Sequence, residues 1–78
     1  KEGALSIKEK ELIALGIAVS MGCEYCVHAH IAGGIKSGAT EEEILEAASI
    51  ALYMQGGPGL TYMKYVFNAL EELKENEK

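Results

Sequence analysis

The sequence has no long apolar run, no alternating strand pattern and no internal repeat. Polar residues such as Glu24, His28 and Lys36 interrupt its richest apolar region, so no segment approaches the ~20 apolar residues that a membrane-spanning helix needs. Because apolar and polar residues never alternate over the length of a strand, a β-sheet is not predicted either. These absences predict a helical domain that does not span a membrane.

Positive charge is also scarce in the chain. The 78 residues include 7 lysines and arginines against 12 acidic residues, which gives a net charge of −5. A chain of this charge is repelled by phosphate backbones and by anionic lipid surfaces. Nucleic acid and anionic membranes are therefore not predicted as partners.

Cysteine occurs only twice, at Cys23 and Cys26. A disulfide between residues this close in sequence closes too small a loop to stabilise a fold usefully. In a chain that is not secreted, such a pair indicates redox chemistry or metal binding. We therefore predict a cytoplasmic location. No signal peptide is visible, and the printed chain begins at Lys1 without a Met, which leaves a lost leader open.

Helical periodicity and capping signals predict one all-α domain over residues 1–78, built from four short helices with tight connections. Capping-box patterns at Ser6 and Thr40 mark the starts of the first and third helices. Gly33 and Gly34, near the end of the second helix, are predicted to allow close approach of another backbone. The predicted helices are Ser6–Met21, Cys23 to Ile35 or Lys36, Thr40–Met54 and Leu60–Lys74, with breaks at Gly22 and Gly56–Gly59 and a charged tail at Glu75–Lys78.

The chain is unusually apolar for its size. Hydrophobic residues make up 49% of it, whereas a domain this small hides only about 60% of the surface of its unfolded chain. The third helix is apolar nearly all round from Ile44 to Met54, which is typical of a helix buried on all sides. The fourth helix carries a further apolar stripe: Leu60, Met63, Phe67, Leu70 and Leu73. We therefore predict that the bundle is completed by oligomerisation.

The chemistry-bearing residues are predicted to meet in one pocket. Cys26 lies in the first turn of the second helix, where unpaired N–H groups and the helix dipole favour a thiolate, and His30 follows one turn later on the same face. Glu11 lies on an otherwise apolar stripe of the first helix, where a carboxylate needs a partner. If the helices fold back at Gly22, Glu11 and His30 differ by roughly 4–5 Å in height across a gap of about 8–10 Å. Cys23 completes the group.

These residue types favour thiol redox chemistry. His30 would accept the proton of Cys26, while Glu11 orients the imidazole and stabilises its charged form. Cys26 would attack a peroxide oxygen and become a sulfenic acid, Cys23 would condense with it, and an external dithiol would reset the pair. Two alternatives stay open: a non-enzymatic oligomeric module in which these residues bind a structural zinc ion, or inert buried thiols.

The spacing of these residues resembles the AhpD-like branch of the carboxymuconolactone decarboxylase family. The motif of that branch, Glu followed after eleven residues by Cys-x-x-Cys-x-x-x-His, is matched by Glu11, Cys23, Cys26 and His30. Gly38-Ala39-Thr40 and Gly56-Gly57-Pro58 are similar to the family too, so the resemblance covers about Glu11–Gly59. It implies an all-helical AhpD-like bundle, commonly assembled as trimers or hexamers, and a peroxidase or disulfide-reductase activity with Cys26 as the reactive sulfur.

The resemblance also implies the partners. In AhpD the reductant is a dihydrolipoyl protein and the partner is a peroxiredoxin. A hydroperoxide substrate, a dithiol or dihydrolipoyl-type reductant and a peroxiredoxin are therefore expected here, with no cofactor and no resident metal. The decarboxylase branch generally lacks the cysteine pair, which argues against lactone decarboxylation. One departure is Tyr25, because AhpD carries a histidine directly before the second cysteine.

Overall fold

The computed structural model describes residues 3–55 and 57–76, with side chains for residues 3–54 and 62–75. Within these residues the chain forms four α-helices and no strand: α1 (Ile7–Met21), α2 (Glu24–Lys36), α3 (Glu41–Gln55) and α4 (Gly57–Asn76). The predicted all-α class with four helices is confirmed. None of the helices in the described ranges has both the length and the apolar character that a membrane crossing requires.

Local capping fixes the starts of α1 and α3 as predicted. The Glu9 N–H donates to Ser6 Oγ at 3.1 Å, and the Ser6 N–H donates to Glu9 Oε1 at 2.8 Å. Thr40 and Glu43 form the same reciprocal pair, at 3.1 and 2.9 Å. These bonds satisfy N–H groups that have no acceptor within the helix.

The turn between α1 and α2 depends on Gly22. Its φ of 69° lies in the left-handed region, which glycine adopts without the penalty of a Cβ atom. The chain therefore reverses within two residues, and α2 runs back along α1. Helix α2 begins at Glu24 rather than at the predicted Cys23, because Cys23 is extended (φ −93°, ψ 100°) and caps the helix from outside.

Helix α4 is longer than predicted. It begins at Gly57 rather than Leu60 and ends at Asn76 rather than Lys74. Pro58 is compatible with this start, because its ring fixes φ near −65° and its missing N–H would have no acceptor in a first helical turn. Gly56 of the predicted break and the last two residues of the predicted tail lie outside the described residues.

The core lies between all four helices, with α1 packed against both α2 and α3 and α4 lying across α2 and α3. Its largest fully buried side chains are Leu15, Val19, Val27, Ile31, Ile44 and Val66. Each such side chain stabilises the fold by about 1.5–3 kcal/mol through removal of apolar surface from water.

The inner stripe of α4 differs from the prediction at one position. Val66 is fully buried, whereas Phe67, predicted on the inner stripe, is 54% exposed. Met63 and Leu73, which also belong to the predicted stripe, pack against the edge of the core. From Met63 the helical period allows either i+3 or i+4, and the chain uses the i+3 position. Leu60 lies outside the described side chains.

Helix α3 buries only one of its apolar faces within the chain. Ile44, Ala48 and Ala51 lie in the core, whereas Tyr53 and Met54 are 85% and 75% exposed. The outer face of α3 and the adjacent face of α1 border a groove of about 420 Å³, here named the α1–α3 groove. Its lining contains no ionisable side chain: Leu12, Ile13, Gly16, Ile17, Ser20, Ala47, Ile50, Ala51 and Met54.

Candidate active site

The turn after α1 places both cysteines at the N-terminal mouth of α2. The Gly22 N–H donates to the Val19 carbonyl at 3.1 Å and the Cys23 N–H donates to the Ala18 carbonyl at 3.2 Å, which fixes the entry of the chain. Cys23 and Cys26 form a disulfide with their Cα atoms 5.3 Å apart, well within the usual range of about 4.4–6.8 Å. The structure therefore shows the thiol pair in its oxidised form.

The ring of Tyr62, from α4, covers this turn. A Cβ atom added at Gly22 would lie only 2.7 Å from the Tyr62 Cζ atom. Tyr62 also stacks on Tyr65, with ring centroids 6.0 Å apart and an interplanar angle of 12°. No sequence pattern predicts the contact between Tyr62 and Gly22, because it joins segments separated by two helices.

Glu11 and His30 meet across α1 and α2. The Nδ1 atom of His30 lies 2.8 Å from Glu11 Oε1, and the two side chains are 39% and 28% exposed. A carboxylate can only accept, so Nδ1 carries the proton of this hydrogen bond. The other ring nitrogen, Nε2, is then the acceptor of a neutral imidazole. The predicted contact between the carboxylate and the imidazole is present, and the catalytic roles of both residues remain predictions.

A glycine makes room for the carboxylate. A Cβ atom at Gly33 would lie 2.6 Å from Glu11 Oε2 and 2.9 Å from Oε1. The group that approaches Gly33 is therefore a side chain and not the backbone that was predicted. An alanine at this position would require the carboxylate to shift. The pair of glycines inside a helix was the sequence signal for a close approach, although it did not identify Glu11 as the neighbour.

Helix α2 connects the Cys23–Cys26 disulfide to the hydrogen-bonded pair of Glu11 and His30. Cys26 and His30 are four residues apart on α2, a spacing that puts side chains about 5–6 Å apart at Cβ on one face. Cys26 also packs against the core. His28 instead pairs with Glu72 of α4, with Nε2 3.0 Å from Oε1. Because it is two residues from Cys26, His28 lies on a different face of α2 from Cys26 and His30.

The electrostatics of the turn favour negative charge at sulfur. The Cys26 N–H donates to Cys23 Sγ at 3.2 Å, so the sulfur takes the place of an N-cap oxygen. The positive end of the α2 dipole lies at the same point. Exposed Glu24, in the first turn, partly opposes this effect. This capping role of Cys23 was not predicted, because the predicted helix begins at Cys23 itself.

Metal binding has no support from the described geometry. In the part of the chain that the structure describes, no three His, Cys, Asp or Glu side chains are arranged to hold an ion. In the oxidised form the two sulfurs are bonded to each other and are not thiolate ligands of the kind that zinc binds.

The family follows from comparison with known sequences. The sequence profile of the carboxymuconolactone decarboxylase family matches residues 1–72. The chain belongs to this family. An uncharacterized protein of the cox locus of Paracoccus denitrificans is similar to it, with 33% identity over 72 residues, 92% of this chain and 65% of that protein.

Two crystal structures of carboxymuconolactone decarboxylase family proteins have the same fold. One is from Thermotoga maritima, and a part in the antioxidative response has been suggested for it. The TM-score is 0.90 and the identity 36%, over 96% of this chain and 77% of that chain. The other is an apo structure from Legionella pneumophila, with a TM-score of 0.86 and 46% identity. This match covers 92% of this chain and 64% of that chain, so the present sequence spans about two thirds of the Paracoccus and Legionella proteins.

Proposed function

We propose that this carboxymuconolactone decarboxylase family protein is a thiol-dependent oxidoreductase of the AhpD-like branch that reduces hydroperoxides. The observation that carries the proposal is the Cys23–Cys26 disulfide, whose second sulfur lies one helical turn before a histidine bonded to Glu11. A pair able to form a disulfide supplies two electrons, and a histidine with a fixed tautomer supplies the proton transfer that such chemistry needs.

The first step belongs to Cys26. In the reduced pair, Nε2 of His30 takes the Cys26 proton, and the Glu11 carboxylate stabilises the imidazolium that results. The thiolate attacks the terminal oxygen of the hydroperoxide, so that an S–O bond forms and the O–O bond breaks. The departing alkoxide takes the proton from His30 and leaves as an alcohol. Cys26 is then a sulfenic acid.

The second step restores the disulfide seen in the structure. Cys23 attacks the sulfur of the Cys26 sulfenic acid, and water leaves. An external dithiol then reduces the pair by thiol–disulfide exchange. For this reductant we propose a dihydrolipoyl-type protein, with a peroxiredoxin as a further partner. The family resemblance supports both. We also propose a cytoplasmic location, where reduced thiols are maintained.

We further propose that two or more copies of the chain associate through the α1–α3 groove. Ile17 and Ile50, on its two sides, are 56% and 60% exposed. Large exposed apolar patches mark association surfaces. A second copy is the favoured occupant because each chain carries a net charge of −5, and this uncharged face lets two acidic chains meet without bringing carboxylates together.

The direct test of the activity is a reaction with an organic hydroperoxide. Reduced protein is mixed with tert-butyl hydroperoxide, and free thiols and alcohol are followed in time. We expect two thiols lost for each alcohol formed, and repeated turnover when dihydrolipoamide is supplied. A variant with both cysteines changed to serine is the control and should form no alcohol. Thiols that stay free in the parent protein would refute the proposal.

A further inference from the structure

We propose that the backbone of α2 activates Cys23, independently of the Glu11–His30 pair that serves Cys26. In this arrangement the N–H of Cys26 stabilises the thiolate form of Cys23, which attacks the sulfenic acid formed on its neighbour. The inference rests on the proposed function of the thiol pair and assigns a separate activating group to each of the two sulfurs.

The geometry of the turn carries this assignment. Cys23 is the N-cap of α2, with extended backbone angles, and its Sγ accepts the Cys26 N–H at 3.2 Å. The N–H groups of a first helical turn have no acceptor within the helix, so this donor is already directed at the sulfur. A hydrogen bond to a charged acceptor is roughly twice as strong as one between neutral groups. The bond therefore favours the thiolate of Cys23 over its thiol.

The other groups near Cys23 do not explain its activation. His30 lies seven residues farther along α2 than Cys23, roughly 10 Å in rise, with Cys26 between them. The Nδ1 atom of His30 is already hydrogen-bonded to Glu11. Tyr25 is 82% exposed, so most of its surface faces solvent.

Three elements surround the turn and could place charged or titratable groups beside Cys23: α1, α2 and α4. Glu24 lies in the same turn and opposes a thiolate, Tyr62 of α4 covers Gly22, and the end of α1, residues 18–21, contains no ionisable side chain. Cys26 and His30 follow along α2. The backbone and the dipole must therefore outweigh one exposed carboxylate, which solvent screens.

The step that uses this thiolate is balanced within the pair. The Cys23 thiolate attacks the sulfur of the Cys26 sulfenic acid, the S–S bond forms and the S–O bond breaks. Hydroxide leaves and takes a proton from solvent, which replaces the proton that Cys23 lost when it ionised. Cys23 donates two electrons to the sulfur of Cys26, and no further oxidant or reductant takes part.

The test uses the single-thiol variant Cys26→Ser, which keeps the N–H at residue 26. The ultraviolet absorbance of the Cys23 thiolate and the amide resonance of residue 26 are followed across pH by spectrophotometry and NMR. We expect the thiolate to form about one pH unit below the ordinary thiol value of about 8.5, with the residue 26 amide shifting in step. Adding His30→Ala should leave this midpoint unchanged.

A second variant removes the donor. Cys26→Pro lacks the N–H at residue 26, in the first turn where proline is tolerated best, and Cys26→Ala is its matched control. With helicity checked by circular dichroism, Cys26→Pro should return the midpoint to the ordinary thiol value, whereas Cys26→Ala should not. If Cys26→Pro does not fold, the amide titration alone decides.

Three results would overturn the inference: an ordinary midpoint in Cys26→Ser, a residue 26 amide that does not follow the titration, or a midpoint that moves with His30→Ala. No hydroperoxide enters this experiment. A failure here therefore leaves the peroxidase proposal standing, and a protein that ignores hydroperoxides could still show the titration.

Discussion

The Nδ1 atom of His30 lies 2.8 Å from Oε1 of Glu11, and this hydrogen bond joins the second helix to the first beside the redox turn. It gives a partner to the one carboxylate that the sequence places on an apolar stripe. It also leaves Nε2 of His30 as the acceptor for a thiol proton. The tautomer of His30 is thus set by a residue of a different helix.

The substitution Glu11→Gln should slow the reaction of the thiol pair with hydroperoxide by about 10- to 100-fold, the range typical of losing a group that orients a metal-bound histidine. Glutamine has no charge to stabilise the imidazolium. Stopped-flow measurement of thiol loss checks this. The matched control is Glu9→Gln, also on α1, where the side chain only caps the Ser6 N–H. Equal rates in Glu11→Gln and the parent would remove Glu11 from the mechanism.

The substitution Ile17→Glu should shift the protein toward monomer. It places a charge in the α1–α3 groove, where burial against a second copy would leave it unpaired. Phe67→Glu is the control, since Phe67 and Ile17 are similarly exposed, at 54% and 56%, and Phe67 does not line the groove. Sedimentation velocity of both variants and the parent gives the answer. A parent that is already monomeric would contradict the association.

Glu43 should contribute to stability in a pH-dependent way. Its pKa is lowered because the Thr40 N–H and then Lys8 stabilise the carboxylate. A lowered folded-state pKa means that the contribution is complete above the unfolded value of about 4.3 and is lost as the pH falls through the folded-state value.

The free energy of unfolding, measured by urea titration between neutral and acid pH, tests this sign. The variant Glu43→Gln should lose less stability over the acid range than the parent does. The neighbouring exposed Glu42→Gln is the control and should follow the parent. A parent whose stability is flat across that range would contradict the link to Glu43.

The substitution Gly22→Ala should destabilise the protein by at least about 1–2 kcal/mol, the cost of a left-handed conformation in a residue with a Cβ atom. The contact with the Tyr62 ring adds to this cost. Adding Tyr62→Ala should recover only the cost of the contact with the ring. The double variant should therefore be less destabilised than the sum of the effects of the two single substitutions. Thermal denaturation measures all four proteins, and full additivity would show that the ring and the turn do not meet.

The predictions made from sequence succeeded where local chemistry decides the outcome. The capping boxes at Ser6 and Thr40 and the helix break at Gly22 depend on neighbouring residues alone. The contact between Glu11 and His30 could be derived because one tight turn fixes the relative height of two adjacent helices.

Predictions were wrong or missing where packing between distant segments decides the outcome. The position of Phe67 depends on which of two helical spacings the core accepts, and the covering of Gly22 by Tyr62 depends on how α4 crosses the bundle. The capping role of Cys23 was missed for a different reason: sulfur is a rare N-cap, and residue type alone favours oxygen at that position.

The central claim is that Cys26 reacts with hydroperoxide and Cys23 resolves the product. Mass spectrometry of intact reduced protein, before and after one equivalent of hydroperoxide, tests it most directly. The parent should lose two hydrogen atoms, and Cys23→Ser should gain one oxygen atom at Cys26. Cys26→Ser should be oxidised much more slowly than the parent, because His30 does not serve Cys23 and so no adjacent acid protonates the departing alkoxide. Oxidation of Cys26→Ser as fast as the parent would contradict the assignment of the two sulfurs.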